Sequence, residues 1–192
     1  MSITPLFSTP VYISDSSYNI DEKLLDNVKN LNKKRNKNNT ISNNYNVLSY
    51  FTELKSFCDI NIKKFKDVLC IENDIYITTS WFNYTEKNES HHLHNHPNSI
   101  FSGVLYLSGD IKINFHRGHH PFCLHLDYYD FNLGNSEQWQ MDLKPGDLIL
   151  FPSGLQHEVT NYNNNDTRIS LAFNTFVKGE VCKDIQTSRL EI

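Results

Sequence analysis

The chain has 192 residues, a formal net charge of −4 and 21% charged residues, which is enough length for one domain with a sizeable core. This mildly acidic balance gives no footprint for neutralising phosphates, so nucleic acid is not a favoured partner. No apolar run is long enough to span a bilayer, and the opening MSITPLFSTPVYISDSS lacks the basic start and unbroken apolar centre of a signal peptide, which predicts a soluble, cytoplasmic protein without a membrane partner.

The four cysteines, Cys58, Cys70, Cys123 and Cys182, are scattered and form no C-x-x-C pair. That spacing predicts reduced, mostly buried thiols and neither disulfides nor zinc ligands.

In chain order, PLFSTPVYI is rich in β-branched and aromatic residues but interrupted by Pro5 and Pro10, as suits an extended edge segment. Ile20, Leu24, Leu25, Val28 and Leu31 recur at helical spacing and predict an amphipathic helix from Asn19 to about Arg35. The Asn/Lys-rich stretch around NKKRNKNNTISNNYN reads as a solvated loop, because it lacks the interleaved aromatics of an RNA-binding patch. A second helix is predicted from Tyr50 to Val68, with Phe51, Leu54, Phe57, Ile60, Ile62 and Phe65 facing one core.

After Glu72 the pattern becomes all-β. DIYITTSWFNYTE, SIFSGVLYLSG, IKINFHRG, DLILFP, QHEVTNY and RISLAFNTFV are short β-branched and aromatic runs separated by Gly, Pro and Asn turns. Strands at this spacing predict a β-sandwich or barrel. The fold expected is therefore mainly β with N-terminal helices laid against an antiparallel core.

ESHHLHNHP places four histidines in six positions. On a strand, His94 and His96 present two imidazoles to one face, with His92 on the same parity. Downstream, KPGDLILFPSGLQHEV reads as turn, buried strand, turn and a returning strand that begins at His157. Such a hairpin can bring His157 against the H-x-H pair, giving three ligands and leaving three positions open for exchangeable groups. In TRISLAFN, Arg168 and Ser170 share a parity and can both point between the sheets. A guanidinium in an apolar strand is costly to bury without an anion, and its planar fork matches a carboxylate. The alternative at this point is an outward Arg168 paired to Asp166.

His94-Asn95-His96-Pro97 with SGVLYL, GDLILFPSGLQH around His157, and Arg168-Ile169-Ser170 together resemble the iron(II)/2-oxoglutarate-dependent oxygenases, and in particular the "putative 2OG-Fe(II) oxygenase" group found in bacteria and marine phages. PLFSTPVY and SWFNY resemble that group too, so the likeness extends over most of the chain. It implies a double-stranded β-helix, the cupin-like jelly roll, as a single domain over 1–192. Residues 1–71 would form the edge segment and supporting helices, and 72–180 the jelly-roll core. It further implies iron(II) on His94, His96 and His157, and the distal carboxylate of 2-oxoglutarate on Arg168 and Ser170, with Asn83, Tyr106 and Trp81 lining the pocket. O2 would be the oxidant, and hydroxylation of a small molecule or a protein side chain would release succinate and CO2. A phage-encoded protein acting in the host cytoplasm is one setting for such a domain, and a homodimer is one assembly open to it.

The departure from the superfamily is His96, which stands where most members carry Asp or Glu. Asp110 and Glu89 are the carboxylates that could take its place. Two rival readings stay open from the residues alone. One is a cupin-type metal protein without 2-oxoglutarate, since Gly146 to Pro152, Gly154, His157 and Asn161 also fit the second cupin motif; the other is a non-catalytic jelly roll. Arg168 discriminates, because only a 2-oxoglutarate enzyme has a use for it. The histidines of the segment from His116 to Gln140, namely His116, His119, His120 and His125, read as part of a solvated loop at the mouth of the site, where substrate selection is expected.

Overall fold

The computed structural model describes residues 6–119 and 126–192; Cys123, His120 and His125 lie outside them. The chain runs β1 (Tyr12–Ile13), α1 (Glu22–Lys29), β2 (Lys33–Arg35), β3 (Thr40–Ser42) and α2 (Thr52–Val68). Eight strands follow: β4 (Asp74–Thr85), β5 (His91–His94), β6 (Phe101–Ser108), β7 (Ile111–His116), β8 (Gln138–Leu143), β9 (Leu148–Pro152), β10 (His157–Val159) and β11 (Arg168–Lys178). A small hairpin of β12 (Glu180–Val181) and β13 (Leu190–Glu191) comes last.

These eight strands divide between two antiparallel sheets. The larger sheet has the order β1-β9-β6-β11-β4-β3-β2, and the smaller has β5-β10-β7-β8. The eight-strand core of β4 to β11, four strands to a sheet with the chain crossing repeatedly between them, is the double-stranded β-helix expected from the sequence. Among the described residues no helix is long and apolar enough to cross a membrane.

Strand parity sorts the core into two layers. Ile169, Leu171 and Phe173 on β11, Phe82 and Tyr84 on β4, and Leu105 and Leu107 on β6 pack with Leu54, Cys58, Ile62 and Phe65 of α2. Burying a side chain such as Phe65, 2% exposed, contributes roughly 1.5–3 kcal/mol, so the helix covers the outer face of the large sheet. The opposite parity faces the smaller sheet, where Ile111, Ile113 and Phe115 of β7 meet Ile149 and Phe151. β11 is buried on both faces for this reason. β6 runs so close to it that a Cβ on Gly103 would stand 2.2 Å from the Phe173 ring, which reserves that position for glycine.

Several expectations are corrected here. The first helix stops at Lys29, capped at its start by Asp21, whose carboxylate accepts from Leu24 N–H at 2.7 Å. Lys33–Arg35, predicted helical, instead pairs with Thr40–Ser42, and β3 pairs with β4. The apolar periodicity ends at Leu31, and beyond it the strand pairing satisfies the backbone of a segment that has no apolar face to bury. The supposed loop is thus a hairpin that extends the large sheet. The second helix begins at Thr52, and Ile60, assigned to its core face, is 54% exposed. Gln138–Leu143, whose first half falls in the segment expected as loop, forms an outer strand of the small sheet, and His116 belongs to β7. Of the described cysteines only Cys58 is buried, with its thiol pKa raised by burial; Cys70 and Cys182 are exposed, against the expectation of mostly buried thiols.

Candidate metal centre

One cavity between the two sheets brings together eight residues that the sequence reading placed at the site: His94, His96, His157, Arg168, Ser170, Asn83, Tyr106 and Trp81. The pairing register explains how. Arg168 lies opposite Thr85, Ser170 opposite Asn83, and Ala172 opposite Trp81 on β4. On the other side of β11, Ser170 lies opposite Tyr106 and Ala172 opposite Val104 of β6. Those residues share a parity across three adjacent strands, so the large sheet forms the floor.

The small sheet supplies His94 and His157, whereas His96, expected on the same strand as His94, lies in the linker past the end of β5. β5 pairs with β10, with His94 opposite His157. The ring centroids of His94 and His157 are 4.3 Å apart, those of His94 and His96 4.9 Å, and those of His96 and His157 5.2 Å. One ligand-type nitrogen from each lies within 4.8 Å of the others. Among the described residues no carboxylate joins this group. Glu89 instead pairs with Arg35 and accepts the backbone N–H of Glu86, while Asp110 sits near Lys112 with its side chain 57% exposed.

Hydrogen bonds fix the state of two rings. His94 Nδ1 is 2.7 Å from the His92 carbonyl, and His157 Nδ1 is 3.0 Å from the Leu155 carbonyl. A carbonyl only accepts, so each Nδ1 carries the proton and each Nε2 lone pair is free. This is the tautomer and the orienting contact that a metal-ligating imidazole requires. The donor set therefore fits a divalent metal.

A further histidine joins the cluster. His91 lines the cavity and stacks on His94 with centroids 4.3 Å apart and planes inclined by 11°. Simple alternation puts His92 rather than His91 on the side of His94. The register shift between β5 and β10, with His91 opposite Val159 and His94 opposite His157, leaves an extra residue on β5 and turns His91 inward. Nothing in HHLH signals that bulge. Thr85, also unassigned from the sequence, lines the cavity too, and its hydroxyl accepts from Arg168 Nη2 at 3.3 Å.

Burial holds these imidazoles neutral. His157 and His91 are pushed down to about 3 and His96 to about 4, first by desolvation and then by the neighbouring histidines, and His94 is lowered chiefly by burial. In an unfolded chain histidine titrates near 6.5. Below that value the unfolded state takes up protons that the folded state refuses, so stability present above about 6.5 is lost as pH falls toward the folded values, by up to about 1.4 kcal/mol per pH unit for each fully buried ring. The metal-free protein should therefore show a thermal midpoint that drops steadily between about pH 6.5 and about pH 4. Melts in the presence of a chelator check this, and a midpoint flat across that window would contradict it.

Arg168 is 6% exposed and points into the cavity, so the alternative of an outward guanidinium paired to Asp166 fails; Asp166 instead accepts from Tyr162 at 2.7 Å. Its guanidinium carbon lies 5.3 Å from the Tyr162 ring centroid, and no described carboxylate forms an ion pair with it. Burial lowers its pKa, opposed by the fields of Tyr106, Tyr162 and Asp110. Beside it, Asn83 accepts from Trp81 Nε1 at 3.2 Å, which leaves the Asn83 amide N–H groups available to a ligand. Outside the cavity, His116 pairs with Glu158 at 3.1 Å and His119 is exposed.

Comparison with known proteins agrees with this geometry. Residues 79–174, half of the chain, match the family described as "Putative 2OG-Fe(II) oxygenase". No curated protein matches the sequence. Among solved structures, an oxidoreductase of the 2OG-Fe(II) oxygenase family from Burkholderia pseudomallei is 15% identical with a TM-score of 0.61, covering 86% of this chain and 83% of that one. HygX from Streptomyces hygroscopicus, solved with nickel and 2-oxoglutarate bound, is 13% identical with a TM-score of 0.65, covering 87% and 82%. The non-heme alpha-ketoglutarate-dependent epimerase SnoN from nogalamycin biosynthesis is 9% identical with a TM-score of 0.58, covering 79% and 70%. At such identities the likeness is one of fold. With the family match over half its length, the chain belongs to the 2OG-Fe(II) oxygenases, oxidoreductases that use iron(II), 2-oxoglutarate and O2.

Proposed function

We propose that His94, His96 and His157 hold the iron(II), that Arg168 and Ser170 receive the distal carboxylate of 2-oxoglutarate with Tyr106 and Asn83 beside it, and that the enzyme hydroxylates a small molecule or a protein side chain. The observation that carries this reading is a buried, carboxylate-free Arg168 in the same cavity as three neutral imidazoles. A cupin that makes no use of 2-oxoglutarate has no need for that cation. Iron(II) with bound 2-oxoglutarate supplies oxidative decarboxylation to succinate and CO2 and the oxidant for a C–H bond; the chain's own residues bind, orient and exclude water.

The charges favour the assignment. Three neutral imidazoles leave a divalent iron with its full double positive charge, which dianionic 2-oxoglutarate neutralises. With a carboxylate ligand the same complex would be negative by one. Ser170 and Tyr106 lie opposite each other at the floor, and Tyr106 has its pKa raised by burial, so it meets a ligand as a hydrogen-bond donor. The whole of 1–192 is proposed to act as one domain, in which the N-terminal part lays α2 over the large sheet and adds β1, β2 and β3 to its edges.

The test is anaerobic. Adding 2-oxoglutarate to the iron(II)-loaded protein should produce a metal-to-ligand charge-transfer band in the visible spectrum, and admitting O2 should then yield succinate. A protein that binds iron(II) but shows no spectral response to 2-oxoglutarate would sink the proposal.

A further inference from the structure

His96 is held differently from the other two imidazoles. His94 and His157 each donate from Nδ1 to a carbonyl, whereas the His96 ring has no hydrogen-bond partner among the described residues and its nearest aromatic neighbour outside the cluster is Trp81, 6.1 Å away between centroids. It also lies two residues past the end of β5, outside any strand. Its fixed point is its own backbone: the His96 N–H donates to the Ser153 carbonyl at 2.9 Å.

Ser153 sits in the turn between β9 and β10, four residues before His157. Its N–H donates to the Ile100 carbonyl at 3.0 Å, so its backbone clamps the linker after His96 at two points. Its side chain, 1% exposed, is locked in turn. Ser153 Oγ lies 2.7 Å from Ser99 Oγ and 2.9 Å from Ser102 Oγ, and Ser102 Oγ lies 3.0 Å from the Asn174 side-chain amide. Ser99 donates to the Phe101 carbonyl at 2.9 Å and accepts the Thr175 N–H at 3.2 Å.

Each hydroxyl owns one proton, which sets the direction of the chain. Ser99 spends its proton on Phe101, Ser153 on Ser99, and Ser102 on Ser153. As placed, Ser102 donates to Asn174 Oδ1; turning that amide over, so that its NH2 faces Ser102, lets every contact be a hydrogen bond. The result is a one-way relay from β11 through the β9–β10 turn to the linker that carries His96. Such a network in a low-dielectric interior is rigid when fully satisfied.

We infer that Ser153 is a positioning residue for the metal centre, fixing through its carbonyl the one proposed ligand imidazole that has no hydrogen bond of its own among the described residues. This rests on the reading of His94, His96 and His157 as metal ligands. Ser153→Ala removes only the hydroxyl, so the carbonyl remains but its carrier loses the lock. Loss of an outer contact of this kind weakens metal binding about 10-fold or somewhat more.

Cobalt(II) titrated into the metal-free protein, followed by its visible d–d absorption, reads this out. Ser153→Ala and Ser102→Ala should each bind cobalt(II) about 10-fold more weakly and with an altered band shape, and the double variant should be no worse than the weaker single, because one relay has been cut. Ile62→Val in α2, which lowers stability without touching the relay, should leave affinity and spectrum as in the wild type. Wild-type affinity and spectrum in both serine variants would overturn the inference and leave the ligand set standing. Failure of the wild type to take up cobalt(II) would instead sink the ligand set, and this inference with it.

Discussion

His157→Ala is expected to bind iron(II) weaker by on the order of 100-fold or more, about 2.7 kcal/mol, and to give no charge-transfer band with 2-oxoglutarate. The imidazole is 4% exposed and wedged between His94, at 4.3 Å between centroids, and Phe151, at 4.7 Å. Its Nδ1 is committed to Leu155 O, so its free Nε2 can serve only something inside the cavity. Removing it leaves two imidazoles, too few to hold an open metal site at neutral pH. The fold has less reason to suffer. His157 is pushed down to about 3 by burial, so its replacement takes away a group that destabilises the folded state in acid. Metal-free His157→Ala should therefore melt near the wild-type temperature at neutral pH and lose less stability as pH falls. Calorimetric iron(II) titration paired with melts across pH separates the two effects. Wild-type iron affinity in this variant would remove His157 from the ligand set.

Much of the site could be read from strand parity. Arg168, Ser170 and Ala172 alternate with Ile169, Leu171 and Phe173, and the observed sheet sends the first set to the cavity and the second to the helix layer. His94 and His157 meet because β5 and β10 are neighbours, but not through the expected hairpin: β9 and β10 lie in different sheets, and His96 reaches the pair from the linker past the end of β5. What escaped depends on departures from that period. His91 enters the cavity through a bulge, and a one-residue irregularity leaves no trace in a string of four polar residues. Lys33–Arg35 looked helical because propensity sees only neighbours in sequence, while its strand partner, Thr40–Ser42, is set by a sheet edge on β4. β8 escaped although QWQMDL alternates polar and apolar residues, because the run is short, mostly exposed on the edge of the small sheet, and continues a polar, Asn-rich segment. The absence of a carboxylate beside His94 and His157 was also undecidable from sequence, since Glu89 is near in the chain but is claimed by Arg35 across the hairpin.

Arg168→Met should raise the KM for 2-oxoglutarate by on the order of 100-fold, the size expected when one partner of a buried charge pair is deleted, while leaving iron(II) affinity close to wild type. The guanidinium is 6% exposed, and its one side-chain hydrogen bond among the described residues is a long contact of 3.3 Å to Thr85. A buried charge with so little compensation destabilises the protein that carries it, and an apolar side chain of similar length relieves that cost. The metal-free, ligand-free Arg168→Met protein should therefore melt at or above the wild-type temperature, and the stabilisation that 2-oxoglutarate gives the iron-loaded wild type should vanish. Arg168→Lys tests geometry against charge: it keeps the cation but loses the planar fork, so an intermediate loss of roughly 10-fold is expected. A merely structural Arg168 predicts the reverse ordering, with both variants less stable and both retaining the response to 2-oxoglutarate. Parallel melts with and without the co-substrate distinguish the two, because only an anion-binding role couples a gain in intrinsic stability to a loss of ligand affinity.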